Sequence, residues 1–282
     1  MSNRRLDLEL INVIRRDKSD EEVKIKKLKY LLYLGADIDV VDEEGNTPLL
    51  VAVEQDEDKI VSFLREQGAN ENVENWEKCN ALMVACLYGS CKCAKIFGDK
   101  KEWFECEDCE GRTAIEIASS CGCLEIVEGL YEKGAKYRQK NDTCLMEAAG
   151  YGHKDVVKFW LDKGKDVNFR NKQGWNALMR AAKVGSDDVV SLLIERGANL
   201  EDKSKEGKSA LLYAVISDKT EVVRLLIDKG AKFDVEDKKC MEALTMAVFW
   251  DNKEVLKILK KKIDENKALD ANMGKVGQGM GR

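Results

Sequence analysis

Proline and histidine are almost missing from this 282-residue chain, each occurring once, as Pro48 and His153. Proline breaks helix interiors, so a sequence with a single one is free to be mostly helical. A lone histidine excludes histidine-based metal sites and leaves one place at most for a Ser-His-Asp or Cys-His arrangement. Long apolar runs are lacking too, and nothing approaches the roughly 20 residues of a membrane span. The start, Met1-Ser2-Asn3-Arg4-Arg5-Leu6-Asp7, has basic residues but no apolar signal core behind them. These absences predict a protein made and kept in the cytoplasm, away from membranes. No phosphate-binding loop is present either: Gly207-Lys208-Ser209 lacks the upstream glycine and the preceding strand. No cofactor, bound metal or catalysis of its own is expected.

Neither sign of charge dominates. Lysine and arginine number 47 against 52 aspartates and glutamates, a net charge of −5 that argues against a general nucleic-acid grip. A charged fraction of 35% beside an ordinary hydrophobic fraction of 44% suits an elongated particle with much solvated surface. Ten cysteines would build a disulfide scaffold in a short secreted chain. Without a secretory signal, and with helices to supply a core, reduced thiols are the better reading.

What the chain does have is a beat of 33 residues, carried by the tetrads Thr47-Pro48-Leu49-Leu50, Asn80-Ala81-Leu82-Met83, Thr113-Ala114-Ile115-Glu116, Thr143-Cys144-Leu145-Met146, Asn176-Ala177-Leu178-Met179, Ser209-Ala210-Leu211-Leu212 and Glu242-Ala243-Leu244-Thr245. Only the step from Thr113 to Thr143 is shorter, by three residues. Gly35-Ala36, Gly68-Ala69, Gly134-Ala135, Gly197-Ala198 and Gly230-Ala231 keep the same time. Such periodicity is the signature of a stacked-repeat architecture, in which each unit buries its apolar face against its neighbours.

Residues 171–203 show the logic of one unit. Asn171-Lys172-Gln173-Gly174 is turn chemistry, with Gly174 free to take positive φ. Asn176 is placed to cap a helix beginning at Ala177. Leu178, Ala181 and Ala182 then form a short apolar face, small where neighbouring helices approach closely. Gly185 ends that helix, and Asp187-Asp188 open the next with negative charge at the favourable end of its dipole. Val189, Val190, Leu192, Leu193 and Ile194 supply a wider stripe, and Gly197 stops it. Helix, turn, helix and extended hairpin follow one another.

This unit resembles the ankyrin repeat. Asp42-Glu43-Glu44-Gly45-Asn46-Thr47-Pro48-Leu49-Leu50-Val51-Ala52 is similar to the family consensus, and Gly152-His153-Lys154-Asp155-Val156-Val157-Lys158 matches the start of the family's second helix. The resemblance covers roughly residues 6 to 265. It implies an all-α ankyrin-repeat solenoid of helix-turn-helix-hairpin units: a capping helix pair over 1–41, seven repeats over 42–267 and a flexible glycine-rich tail over 268–282. The Ala-Leu-Met tetrad is similar to versions in protozoan members. There are departures. The histidine that usually closes the tetrad is absent throughout, Lys101-Glu102-Trp103-Phe104 replaces the usual hairpin, and the short step between Tyr137 and Asn141 predicts a local kink. His153 sits where the family has its Gly-His pair and reads as structural.

The resemblance also implies a concave surface that binds a protein partner through hairpin tips and the ends of first helices. Carried over by position, the candidates are Trp76, Leu87, Tyr88, Arg112, Tyr151, Lys172, Trp175, Lys183, Lys208, Phe249 and Trp250. Trp, Tyr and Arg dominate interface hot spots, which gives the exposed aromatics their weight. Leu87 and Phe249 can instead pack between repeats. The tips change from acidic in the first unit to lysine-bearing from Lys172 through Lys239, which suits a partner with an acidic part. The expected role is a scaffold or adaptor for an unidentified protein, monomeric on its own. Two alternatives remain. Nine of the ten cysteines fall between Cys79 and Cys144, including Cys91-x-Cys93, Cys106-x-x-Cys109 and Cys121-x-Cys123, a pattern that a metal-stabilised or redox-responsive protein would use. The chain would otherwise be the regulatory subunit of a separate enzyme.

Overall fold

The computed structural model describes residues 4–137 and 143–279. The described residues are helical or loop, with no strand, and divide into two compact units, 1–138 and 139–282. The boundary falls at the shortened repeat step; the expected kink there lies largely outside the described residues.

The first unit runs through α1 (Arg4–Arg16), α2 (Glu21–Tyr33), α3 (Pro48–Glu54), α4 (Asp58–Glu66), α5 (Ala81–Tyr88), α6 (Cys91–Phe97), a 3-10 turn (Lys101–Trp103), α7 (Ala114–Ser120) and α8 (Leu124–Glu132). Odd-numbered helices pack on odd and even on even, with each pair packed internally, so the unit is two rows of helices. The inner row is short because its tetrads begin it sharply. The Thr47 hydroxyl accepts from the Leu50 N–H at 3.4 Å, with Pro48 in the first turn, where no N–H is needed. Asn80 Oδ1 accepts from the Met83 N–H at 3.0 Å. Inner helices are apolar almost all round: every residue from Pro48 to Val53 is buried. Outer helices bury one stripe, Ile60, Val61, Phe63 and Leu64 in α4. Trp103 and Phe104, which break the hairpin pattern, are buried, with Trp103 stacked 5.6 Å from Phe97. The irregular stretch is therefore core.

The second unit repeats the plan with α9 (Thr143–Tyr151), α10 (Lys154–Asp162), α11 (Ala177–Val184), α12 (Asp187–Glu195), α13 (Ala210–Ile216), α14 (Thr220–Asp228), α15 (Lys238–Phe249) and α16 (Lys253–Gly279). Asn176 caps α11 through the Met179 N–H at 2.9 Å. Trp160 of α10 is the largest fully buried side chain among the described residues. Two elements differ from expectation. Asp237 caps α15 four residues ahead of Met241, so Lys238, Lys239 and Met241 lie in a helix and not at a hairpin tip. Their local hydrogen bonding wins: Asp237 Oδ1 accepts from the Lys239 N–H at 2.7 Å. The last helix also continues through Gly279, into the stretch expected to be a glycine-rich tail; Ala268, Leu269, Ala271 and Met273 are good helix formers.

Successive hairpins are stitched backbone to backbone. The Trp76 N–H donates to the Glu44 carbonyl at 3.1 Å, Cys109 to Glu77 at 2.9 Å and, in the second unit, Lys205 to Gln173 at 2.9 Å. Four hairpin turns are held by a short polar side chain: Asp42, Asn75, Asp108 and Asn171 each accept two backbone N–H groups through Oδ1. Gly174 takes φ +77° there, as expected of it.

Candidate partner-binding groove

One residue of each inner helix decides what its exposed face can do. Four places beyond the start of the tetrad the first unit has Val51, Val84 and Ile117, all buried. The second unit has Glu147, Arg180, Tyr213 and Met246 at the same place. Arg180 Nη1 pairs with Glu147 Oε1 at 2.9 Å, and Gly150 leaves room for it, since a Cβ there would lie 3.2 Å from Arg180 Cδ. Tyr213 is buried with its hydroxyl 2.9 Å from Ser204 Oγ, and burial pushes its phenol up from the usual value. Trp175 lies on Tyr213 with ring centroids 4.1 Å apart, and Lys183 Nζ sits 5.5 Å from the Trp175 centroid.

Together these side chains shape a groove of about 690 Å³ between the hairpin of residues 171–175 and the ends of α9 and α11. Tyr151, Trp175 and Val184 give it apolar surface, while Arg180, Lys183 and Lys219 give it charge. Among the described residues no carboxylate lines it. Three of the sequence candidates, Tyr151, Trp175 and Lys183, thus come together. Lys172 is exposed on the same hairpin without lining the groove, and Lys208 pairs with Glu206 at 2.8 Å. Phe249 and Trp250 are exposed and meet each other edge to face at 5.0 Å, so packing between repeats does not account for Phe249.

The candidates of the first unit sit differently. Trp76 lies over Gly45, where a Cβ would come within 2.6 Å of its ring, so only glycine admits the indole. Leu87 is half-buried. Tyr88 is exposed at its edge, and its phenol is pushed up by burial and then by the carboxylates of Glu54 and Glu44. Arg112 is held in its own hairpin by Asp108, at 2.8 Å, and Glu110, at 3.3 Å. Arg180 and Lys219 were not among the sequence candidates. Arg180 stands out only once its position is compared with Val51, Val84 and Ile117; Lys219 has no such signal, since its position holds a different polar residue in nearly every repeat.

The cysteines do not assemble into a site. Among the described residues no three of His, Cys, Asp and Glu form a group able to hold a metal, and none of the cysteines is in a disulfide. Burial pushes the Cys79 thiol up to about 12 and Cys123 to about 11, and raises Cys86 and Cys93 as well. A thiol held protonated is a poor nucleophile, so these four cysteines read as core.

Stacked helix pairs joined by stitched hairpins define a solenoid repeat protein. The family description "Ankyrin repeats (3 copies)" matches residues 22–102, 68–141, 136–204 and 198–270, and the chain belongs to the ankyrin repeat family. Ankyrin repeats generally mediate protein–protein interaction. The chain is 30% identical over 151 residues to an ankyrin repeat and KH domain-containing protein of Caenorhabditis briggsae, covering 52% of this chain and 6% of the relative. It is 30% identical over 143 residues to the human transient receptor potential cation channel subfamily A member 1, covering 46% of this chain and 13% of that protein. The chain thus spans only a small part of these relatives. Among solved structures, the human ASB11 ankyrin repeat domain aligns with a TM-score of 0.63 at 26% identity, over 71% of this chain and 91% of that one. Among the described residues no helix is long and apolar enough to cross a membrane.

Proposed function

We propose that this chain is a non-catalytic interaction module, a scaffold or adaptor that holds a partner protein on the inner face of its second unit. The observation that carries this reading is the groove around Trp175, where aromatic surface and positive charge meet in one concavity. Concave faces of stacked repeats are extended binding surfaces by construction. A regulatory-subunit role has one observation in its favour: a relative in Saccharomyces cerevisiae, 28% identical over 48% of this chain, bears the name probable 26S proteasome regulatory subunit p28. A cytoplasmic home suits the ten cysteines, which a reducing compartment would keep as thiols.

The test is affinity capture from lysate of the source cells, with wild type beside a Tyr151→Ala/Lys183→Glu variant of equal helical circular dichroism. A protein retained by wild type and lost by the variant supports the reading. Equal retention by both moves binding off the groove.

A further inference from the structure

The described lining of the second unit's groove carries cations and no carboxylate. Arg180 is paired with Glu147, but among the described residues neither Lys183 nor Lys219 makes a direct ion pair; Glu206, itself bonded to Lys208, acts on Lys183 only at a distance. Both line the same concavity, and among the described residues nothing acidic lines it with them. The two ammonium groups are held in place. Lys183 lies against the Trp175 ring, and the Lys219 stem packs over Gly185, where a Cβ would come within 2.6 Å of Lys219 Cδ. Lysine stems laid over apolar surface keep their charge at a fixed edge of the site.

Between these cations lies uncharged surface, from Tyr151, Val184 and the outer face of Trp175. Tyr151 is 63% exposed and Val184 45% exposed, so both have apolar area still to bury. At about 690 Å³ the groove falls within the roughly 300–1,000 Å³ of pockets that enclose most of a small ligand. It therefore has room for a few residues of extended chain. A cationic ligand is disfavoured, because Lys183 and Lys219 would repel it.

We propose that this groove binds a short acidic peptide segment of the partner, with carboxylates at Lys183, Lys219 and the open side of Arg180, and one aliphatic or aromatic side chain against Trp175, Tyr151 and Val184. This rests on the interaction-module reading above and specifies the chemistry of its ligand. The first unit does not offer the same site: at the position of Lys183 it has Glu54, paired with Arg15 at 3.2 Å, and the uncharged Leu87 and Ser120.

The experiment is selection of a random dodecapeptide library on the immobilised full-length chain, in parallel with Lys183→Glu/Lys219→Glu and the milder Lys183→Gln/Lys219→Gln. Wild type should enrich sequences with several Asp or Glu around one large apolar residue. Charge reversal should weaken those peptides by about tenfold or more at ~0.1 M salt, with the glutamine pair between. The glutamine pair keeps the question open to test if charge reversal disturbs folding. Enrichment of neutral or basic peptides that the groove variants abolish overturns the acidic ligand and leaves the interaction module standing. Enrichment indifferent to both variants overturns the groove in either role. No enrichment on wild type overturns the acidic-peptide proposal.

Discussion

At one register position the N-terminal unit buries Val51, Val84 and Ile117, while the C-terminal unit places Glu147, Arg180, Tyr213 and Met246. The backbone plan is the same in both: an Asx-held hairpin, a capped inner helix and a striped outer helix. The first unit spends the position on packing and the second on a polar, partly aromatic face. A similar contrast holds along the neighbouring rows. Glu44, Glu54 and Glu57 stand in the first unit where Gln173, Lys183 and Lys219 stand or line the groove in the second. In a repeat protein the fold is secured by many equivalent contacts, so a surface row can change its chemistry without changing the architecture. Surface chemistry is where the two units part.

The strongest way to sharpen the comparison is to weaken each core in turn. Leu82 and Leu178 occupy equivalent places in α5 and α11, and both are fully buried. Leu82→Ala and Leu178→Ala should each cost about 2–5 kcal/mol through the cavity left behind. Segment-resolved hydrogen exchange should locate the loss mainly in the unit that carries the substitution. Equal loss of protection through both units would show that they open as a single block, and would break the division drawn here.

A smaller effect should appear with alkali. Unfolded thiols release their protons near pH 8.5, whereas burial holds Cys79 up to about 12 and Cys123 to about 11 and raises Cys86, Cys91, Cys93 and Cys106. The unfolded chain therefore binds fewer protons than the folded one above that pH. Stability is complete below about pH 8.5 and falls as pH climbs toward the folded values. All six of these groups belong to the first unit, while the second has the raised Cys240. Thermal melts followed by hydrogen exchange at about pH 8 and about pH 10.5 should show the first unit losing more. A larger loss in the second unit contradicts the thiol account. Cys86→Ala should flatten the slope.

Much of this molecule was legible before any coordinates. The tetrads mark helix starts because Thr, Asn and Ser before an apolar run can satisfy an orphan N–H, and Thr47, Asn80 and Asn176 do so. Not every tetrad caps this way: Ser209 precedes α13 without a side-chain cap bond, and Glu242 lies inside α15, which starts behind Asp237. The groove was half legible. Tyr151, Trp175 and Lys183 follow from repeat position alone, but Arg180 and Lys219 are ordinary surface cations until the structure brings them into one concavity. Trp175 shows the limit most clearly. Its exposure is decided by Tyr213, a residue 38 positions later whose ring it covers, and spacing in one repeat carries no information about a partner in the next.

The finest contrast concerns a single turn. Gly45, Gly111, Gly174 and Gly207 take positive φ in their hairpins, but the hairpin at Asn75 has Lys78 at φ +59°. For an L-residue the left-handed region costs about 1–2 kcal/mol, which glycine avoids. Glycine also has more freedom to lose on folding, which takes back about 0.4–1 kcal/mol. Lys78→Gly should therefore stabilise the first unit by about 0.5 kcal/mol, the balance of those two effects. The reverse change in the second unit should hurt more than strain alone, because a Cβ on Gly174 meets the Lys205 backbone nitrogen at 3.0 Å. That nitrogen is the donor of the stitch to Gln173, so Gly174→Ala pushes directly on the link between two hairpins. Denaturant midpoints for the two variants should move in opposite directions. If Lys78→Gly lowers its midpoint, the lysine side chain contributes more to the turn than its backbone strain takes away, and the two units differ in how their hairpins are held.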